Sequence, residues 1–409
     1  MNILFFNRSF YPDTEATGQF LTELCEDLVS YGHNVCVIAG KSSQTNEKYK
    51  LFFVRQENHK SIEILRIGGT TFPKKYLALR IINLATYFIL AFIGGFFVKS
   101  KPDVVIVQTD PPVLGLLGIF FSKWHKAKFI YSCKDLYPEV GIITGKLTNP
   151  FLNYLLKIIN LFSFRLADKV ICLGESMKKL IVNKGIDESK ISIIHDWADT
   201  RYLYPVSNEQ NPFREKYKLS NYFTVMYSGN IGLTQGLEKL IELASHFKHK
   251  REILFILIGD GVLKNKLIED AKNLNLTNIM FLPYQSKEEL KFSLSAPDVH
   301  LITSQKGLSG VIVPSKIYGI LACSKPFLAW IDRDNEVAKV AQRYKSGIIV
   351  PPGNVRSMIR AVNWISNHRD LLTLMGNNGR NAAEKEFDRK VSISKFNSIL
   401  SELCNSLTV

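Results

Sequence analysis

Between residues 227 and 326, four apolar, strand-like runs each give way to glycines or small polar residues. They are Y-S-G-N-I-G-L-T-Q-G at 227–236, F-I-L-I-G-D-G at 255–261, N-I-M-F-L-P-Y at 278–284 and V-P-S-K-I-Y-G-I-L-A-C-S-K-P at 313–326. A chain with this pattern at βα spacing is restricted to a parallel sheet with helices on its faces. In such sheets ligands bind at the carboxyl ends of the strands. One such loop marks no more than a turn; four in order point to a nucleotide site.

The same rhythm runs through the whole chain. Residues 3–6 read as a buried strand, and 17–31 as a helix with Phe20, Leu21, Leu24 and Leu28 on one side and Gly32 as its terminator. Strands follow at 34–39, 62–67, 104–108, 129–133, 170–173 and 191–194. A second series follows at 223–227, 253–258, 279–282, 299–302, 326–330 and 347–350. The expected fold class is α/β: two Rossmann-like, doubly wound parallel-sheet domains facing each other across a cleft, with a C-terminal helix. The expected boundaries are 1–202 for the first domain, which includes an apolar helix at 76–99, and 221–389 for the second. Residues 203–220, with two prolines and little periodicity, read as a linker, and 390–409 as a helix packing back on the first domain.

A balance of 52 Lys and Arg against 37 Asp and Glu gives a net charge of +15, which calls for an anionic partner: a phosphorylated substrate, an acidic membrane surface or nucleic acid. No aromatic–basic recognition motif stands out, so nucleic acid is not expected. The six cysteines are scattered without a C-x-x-C pair and read as buried thiols in a reducing compartment. The short apolar run at 3–6 does not make a signal peptide. The long apolar stretch 81–98 can be a crossover helix, a helix lying in a membrane surface or a span. Lys74, Lys75, Arg80, Lys99 and Lys101 flank it, which suits an anionic membrane surface.

Several residues can carry chemistry. The loop 11–19 opens the first helix, where free N–H groups favour anions and Gly18 permits close approach of a ligand. Residues 229–236 repeat this arrangement as a diphosphate cradle, with Gly229, Asn230 and Gln235; Gly259, Asp260 and Gly261 form a third turn. Ser315 can cap the helix that follows it. Lys316, a cation in that helix's first turn, is locally unfavourable unless it meets an anion, and it shares a face with Gly319. Asp135 at a strand end and Glu139 one turn later can position or deprotonate an acceptor hydroxyl, although Asp135 also reads as a simple cap. His195 reads as structural. There is no zinc motif, P-loop lysine or serine-nucleophile elbow, so neither metal nor cofactor is expected. Asp332-Arg333-Asp334 reads as a solvated loop.

These motifs resemble family 4 retaining glycosyltransferases of the GT-B fold, in the branch that serves bacterial O-antigen and colanic-acid polysaccharides. The first half agrees through Tyr11-Pro12, K-P-D-V-V-I-V at 101–107, D-L-Y-P-E at 135–139, A-D-K-V-I at 167–171 and D-W-A-D at 196–199. The resemblance implies a retaining transfer of a hexose, N-acetylhexosamine or deoxy sugar from a nucleotide sugar, UDP-linked, to a lipid-linked saccharide. It implies a cytoplasmic protein, peripheral on the inner face of the plasma membrane. Asp135, Glu139 and Lys316 would be catalytic. Gly18, Gly229, Asn230, Gln235, Gly259, Asp260, Leu282, Tyr284, Ser309, Gly310 and Ser315 would hold the nucleotide sugar. Much of the family has Arg and Lys where this chain has Asn230 and Gln235, and a ribose-binding Glu where it has Gly319. The backbone N–H groups of 229–231, Asn230, Gln235 and Lys316 would then supply the phosphate contacts. Two other readings share the fold: a nucleotide-sugar 2-epimerase, and a catalytically degenerate, membrane-associated partner subunit.

Overall fold

The computed structural model describes residues 1–13, 15–42, 52–72 and 77–405, with the backbone alone at 77, 78, 80 and 405. Thr14, Lys74 and Lys75, and the side chain of Arg80, lie outside the described residues. The chain forms two compact units, Met1–His195 joined by the chain from Ile393, and Asp196–Ser392.

The first unit holds an eight-stranded sheet in the order β3-β4-β2-β1-β5-β6-β7-β8. Its strands are β1 (Asn2–Phe6), β2 (Asn34–Gly40), β3 (Val54–His59), β4 (Ile62–Ile67), β5 (Val104–Gln108), β6 (Lys128–Ser132), β7 (Lys169–Cys172) and β8 (Ile191–Ile193). All pair in parallel except β3, which runs antiparallel to β4 at the sheet edge. Strand β3 has no counterpart in the sequence reading. V-R-Q-E-N-H lacks apolar alternation because neither face of this edge strand is fully buried. Its hairpin turn places Lys60 and Ser61 at φ 47 and 64, so no glycine marks it.

The second unit holds a six-stranded, all-parallel sheet in the order β11-β10-β9-β12-β13-β14. Its strands are β9 (Phe223–Ser228), β10 (Ile253–Ile258), β11 (Ile279–Leu282), β12 (Val299–Thr303), β13 (Phe327–Trp330) and β14 (Gly347–Val350). Phe255 and Leu257 bury on one face of this sheet, Leu254, Ile256 and Ile258 on the other. Burial on both faces is why the strand reads as a continuous apolar run rather than an alternating one.

One expectation changes, and one open choice narrows. Residues 203–220 pack within the second unit instead of bridging the two. Leu203, Phe213 and Leu219 are core residues, Asn211 Nδ2 donates to the Phe292 carbonyl, and Arg214 Nη2 donates to the Leu219 carbonyl. The prolines that suggested a linker include Pro212, which opens the short helix Pro212–Lys216 under an Asn211 cap. The apolar stretch forms the helix Leu77–Gly95, which connects β4 to β5 and packs on the sheet through Tyr87, Ala91 and Gly94. Tyr87 Oη donates to the Ile38 carbonyl, and a Cβ on Gly95 would lie 2.1 Å from the Phe121 ring. Among the described residues, no helix is long and apolar enough to cross a membrane.

Candidate functional site

In each sheet the chain starts at a central strand, winds to one side, and returns to wind to the other. The carboxyl ends of the two strands flanking that reversal form a crevice. In the second unit these are β9 and β12, and in the first β1 and β5.

The loops after β9 and β10 are packed backbone to backbone. Gly229 N donates to the Ile258 carbonyl at 2.9 Å and Ile231 N to the Asp260 carbonyl at 2.8 Å. Gly229, Gly259 and Gly261 have φ of 143, 144 and 151, and a Cβ on Gly259 would lie 1.9 Å from the Gly229 carbonyl oxygen. Gly259 and Gly261 are therefore required by the meeting of two loops. The same bonds correct one expectation: the N–H groups of Gly229 and Ile231 are engaged by the protein and do not face a phosphate. Asp260 closes its own turn, its carboxylate accepting from Gly261 N. The Asn230 side chain lies over Gly232 and Gly261, and Gln235 Nε2 donates to Thr234 Oγ1. On the other side, Gln305 N donates to the Thr234 carbonyl, tying the loop after β12 to the loop after β9.

Lys316 begins the short helix Lys316–Ala322 and reaches back to the end of β9. Its Nζ lies 3.7 Å from the centre of the Tyr227 ring, and a Cβ on Gly229 would lie 3.1 Å from it. Nζ is buried and has no hydrogen-bond partner among the described residues. Burial lowers its pKa to about 7. A ring face attracts an ammonium but accepts none of its three hydrogen bonds as a carboxylate or phosphate does. A buried cation so placed is costly unless an anion joins it. Tyr227 is held in position by donation from its hydroxyl to the Asn230 carbonyl at 2.6 Å. Burial, and the neighbouring Tyr284, raise the pKa of that hydroxyl. The loops of the cradle are thus tied together, and the buried Lys316 Nζ beside them has no counter-ion among the described residues.

Other expected residues fall as follows. Ser309 Oγ is buried without a partner, and Gly310 turns the loop at φ 71. Ser315 does not cap its helix: its own backbone is already helical, and its side chain makes no cap bond. Gly319 faces Leu294 and Leu203, so its position belongs to the apolar core. Leu282 is a core residue whose carbonyl accepts from Gly259 N, and Tyr284 is exposed. Asp332 is not merely solvated, since its carboxylate accepts from Gly307 N. Sequence reasoning passed over Lys264, whose Nζ donates to the Gly259 carbonyl at the rim of the cradle.

In the first unit, Gly18 is buried, with Phe10 N and the Ser9 carbonyl carbon each 3.4 Å from where its Cβ would be. Asp135 follows β6, and its N–H donates to Thr109 Oγ1. Glu139 is ion-paired with Lys184. His195 Nδ1 is hydrogen-bonded to the Leu173 carbonyl. The reversal between β1 and β5 brings together a pair absent from the sequence reading: Arg8 lies 3.2 Å from Asp110, and Ser9 Oγ donates to Asp110 at 2.8 Å. Ser9 and Asp110 are 101 positions apart, and no local pattern announces the partners.

Comparison with known proteins agrees with this fold. Residues 209–382 match the family described as Glycosyl transferases group 1, and 17–202 match Glycosyltransferase Family 4. The chain is 24% identical to the Escherichia coli K12 protein named as the colanic acid biosynthesis glycosyl transferase WcaI, over 97% of this chain and 98% of that one. It is 27% identical to the Pseudomonas aeruginosa protein named as the glycosyltransferase WbjE, over 72% and 74%. Among solved structures, Anabaena HepE in complex with UDP-glucose superposes with a TM-score of 0.72 at 16% identity, covering 98% of this chain and all of the other.

Proposed function

We propose that this chain, whose two halves match Glycosyltransferase Family 4 and Glycosyl transferases group 1, transfers a sugar from a nucleotide diphosphate donor held in the second unit. The carrying observation is Lys316, whose buried Nζ at the β9/β12 reversal has no anionic partner among the described residues. A diphosphate supplies the missing charge and acceptors. Lys316 then stabilises the negative charge that grows on the leaving diphosphate as the glycosidic bond breaks. Asn230 and Gln235 contribute neutral donors at the cradle. The donor is a UDP-linked hexose, N-acetylhexosamine or deoxy sugar; a solved neighbour of the same fold holds UDP-glucose. Transfer proceeds with retention, and Asp135 orients the acceptor hydroxyl. The acceptor is a lipid-linked saccharide of a surface polysaccharide, in keeping with the relative named for colanic acid biosynthesis, and the protein works from the inner face of the plasma membrane.

The test is thermal stabilisation by UDP, GDP, ADP, CMP and dTDP. A ligand at about 100 times its Kd adds about 2.7 kcal/mol to the native state. A selective rise in Tm with UDP is expected. No rise with any nucleotide would remove the reading of Lys316 as a phosphate ligand.

A further inference from the structure

Three helices lie side by side on the first unit: Leu77–Gly95, Gly115–His125 and Pro150–Leu166. Phe92 and Phe96 meet Phe120 edge-on, with centroids 4.9 and 6.1 Å away, and Phe96 also meets Trp124. On the other side of the middle helix, Gly115 comes so close to the third that a Cβ would lie 1.9 Å from Ser163 Oγ. Their inner faces are buried, through residues such as Tyr87, Phe121 and Phe164.

The outer faces are apolar as well. Ile89 is 57% exposed, Phe97 60%, Trp124 62% and Phe151 74%, and Ile93 and Phe162 are also exposed. Scattered single residues of this kind are ordinary on a protein surface; a run of them across three adjoining helices is not. The charges on these helices and the residues just after them have one sign. The chain carries 37 acidic residues in 409, yet none falls in 77–102, 111–128 or 150–167. Those same stretches contain Lys99, Lys101, Lys123, Lys126, Lys157 and Arg165.

We propose that this three-helix face seats the protein on an anionic lipid bilayer, with Phe97 and Trp124 entering the headgroup boundary and Lys99 and Lys123 meeting lipid phosphates. The inference rests on the reading that the acceptor is lipid-linked, and it specifies the surface that brings the enzyme to it. The chemistry follows from the composition. Large aromatic and aliphatic side chains gain from leaving water for the acyl boundary. Lysines keep their ammonium groups at the phosphates, and an acid on the same face would oppose both. The outward face of the helix Leu77–Gly95 is thus apolar while its length and packing keep it from spanning.

The experiment is flotation of the full chain with vesicles of phosphatidylcholine alone and of phosphatidylcholine with phosphatidylglycerol. Binding to the anionic vesicles that weakens with salt is expected. Two double variants, Phe97→Glu with Trp124→Glu and Lys99→Glu with Lys123→Glu, should each lower partitioning by roughly tenfold or more. All four positions are exposed, so each variant should retain the wild-type melting temperature and the wild-type UDP-induced rise. Failure of wild-type protein to float with anionic vesicles, or undiminished flotation of both variants, overturns the proposal. So does a lipid-free dimer that the Phe97→Glu, Trp124→Glu variant converts to monomer, since the face would then belong to a second copy. Loss of the UDP response in wild-type protein would instead count against the transferase site and leave flotation unaffected.

Discussion

Arg8 in the first unit and Lys316 in the second occupy equivalent places, each where the strand order of a parallel sheet reverses, but their surroundings differ. Arg8 has Asp110 at 3.2 Å, and Ser9 completes that carboxylate's shell. Among the described residues Lys316 Nζ meets the ring of Tyr227 and no hydrogen-bond acceptor, and the atom is buried. The same topology therefore produces one crevice whose cation is neutralised within the chain and one whose cation awaits an anion. That contrast, more than the glycine loops, is what supports the proposal that the second unit takes the phosphorylated donor. Glycine loops alone do not discriminate, because Gly259 and Gly261 are explained by the close approach of two backbones.

The most severe way to break the contrast is Lys316→Met, which keeps the length and removes the charge. Loss of a positioned donor to transition-state charge costs about 10²–10³-fold in turnover, so kcat/KM for the nucleotide sugar should fall by about that factor. The UDP-induced rise in Tm should vanish. Without ligand the variant should melt no lower than wild type, because an unpartnered buried charge has been removed. A variant that binds UDP normally would refute the assignment.

A smaller effect comes from pH. In the free protein Lys316 titrates near 7 because burial disfavours its charged form, whereas a bound diphosphate favours that form. Below pH 7 it is already charged, and its contribution to UDP affinity should be flat. Above pH 7, binding must take up a proton, and affinity should fall by up to about tenfold per pH unit. The stability of the free protein moves the other way. Its folded pKa lies below the unfolded value, so the unfolded chain holds more protons between the two. The burden of the buried charge is therefore fully present below pH 7 and is relieved as pH rises towards the unfolded value. Calorimetry in two buffers of different ionisation enthalpy, on wild type and Lys316→Met, checks the linkage; equal proton uptake by both would exclude Lys316.

Asp110→Asn should have the smallest effect. Both partners of the Arg8 pair are about 30% exposed, and such pairs contribute about 1 kcal/mol or less. A shift of at most a few degrees in Tm is expected, with an unchanged UDP response. A new nucleotide response dependent on Arg8 would show that the two crevices differ only by this one carboxylate.

Legibility followed the range of the interactions. Strand β10 and its glycine turn could be read because burial on both faces and a tight turn are local demands on residue type. Lys316 stood out because a cation at the start of a helix is locally unfavourable. Its ring partner, 89 positions earlier, could not be read, and neither could Asp110 as the partner of Arg8. Strand β3 escaped because an exposed edge imposes no apolar pattern, and 203–220 were misplaced because prolines that begin a helix look like prolines that separate domains.

By itself, then, the sequence determined the α/β class, the two sheet-forming series, the order of the phosphate-type loops and the absence of acids from three helices. Each of these is a pattern of residue type over short distances. Only the tertiary structure decided that the helix Leu77–Gly95 packs on the sheet with one apolar face turned outward, that Gly319 is packed against leucines, and that Lys316 Nζ is buried without a counter-ion among the described residues while Arg8 is paired. Charge balance and burial depend on which distant segments meet, and strand order sets those meetings.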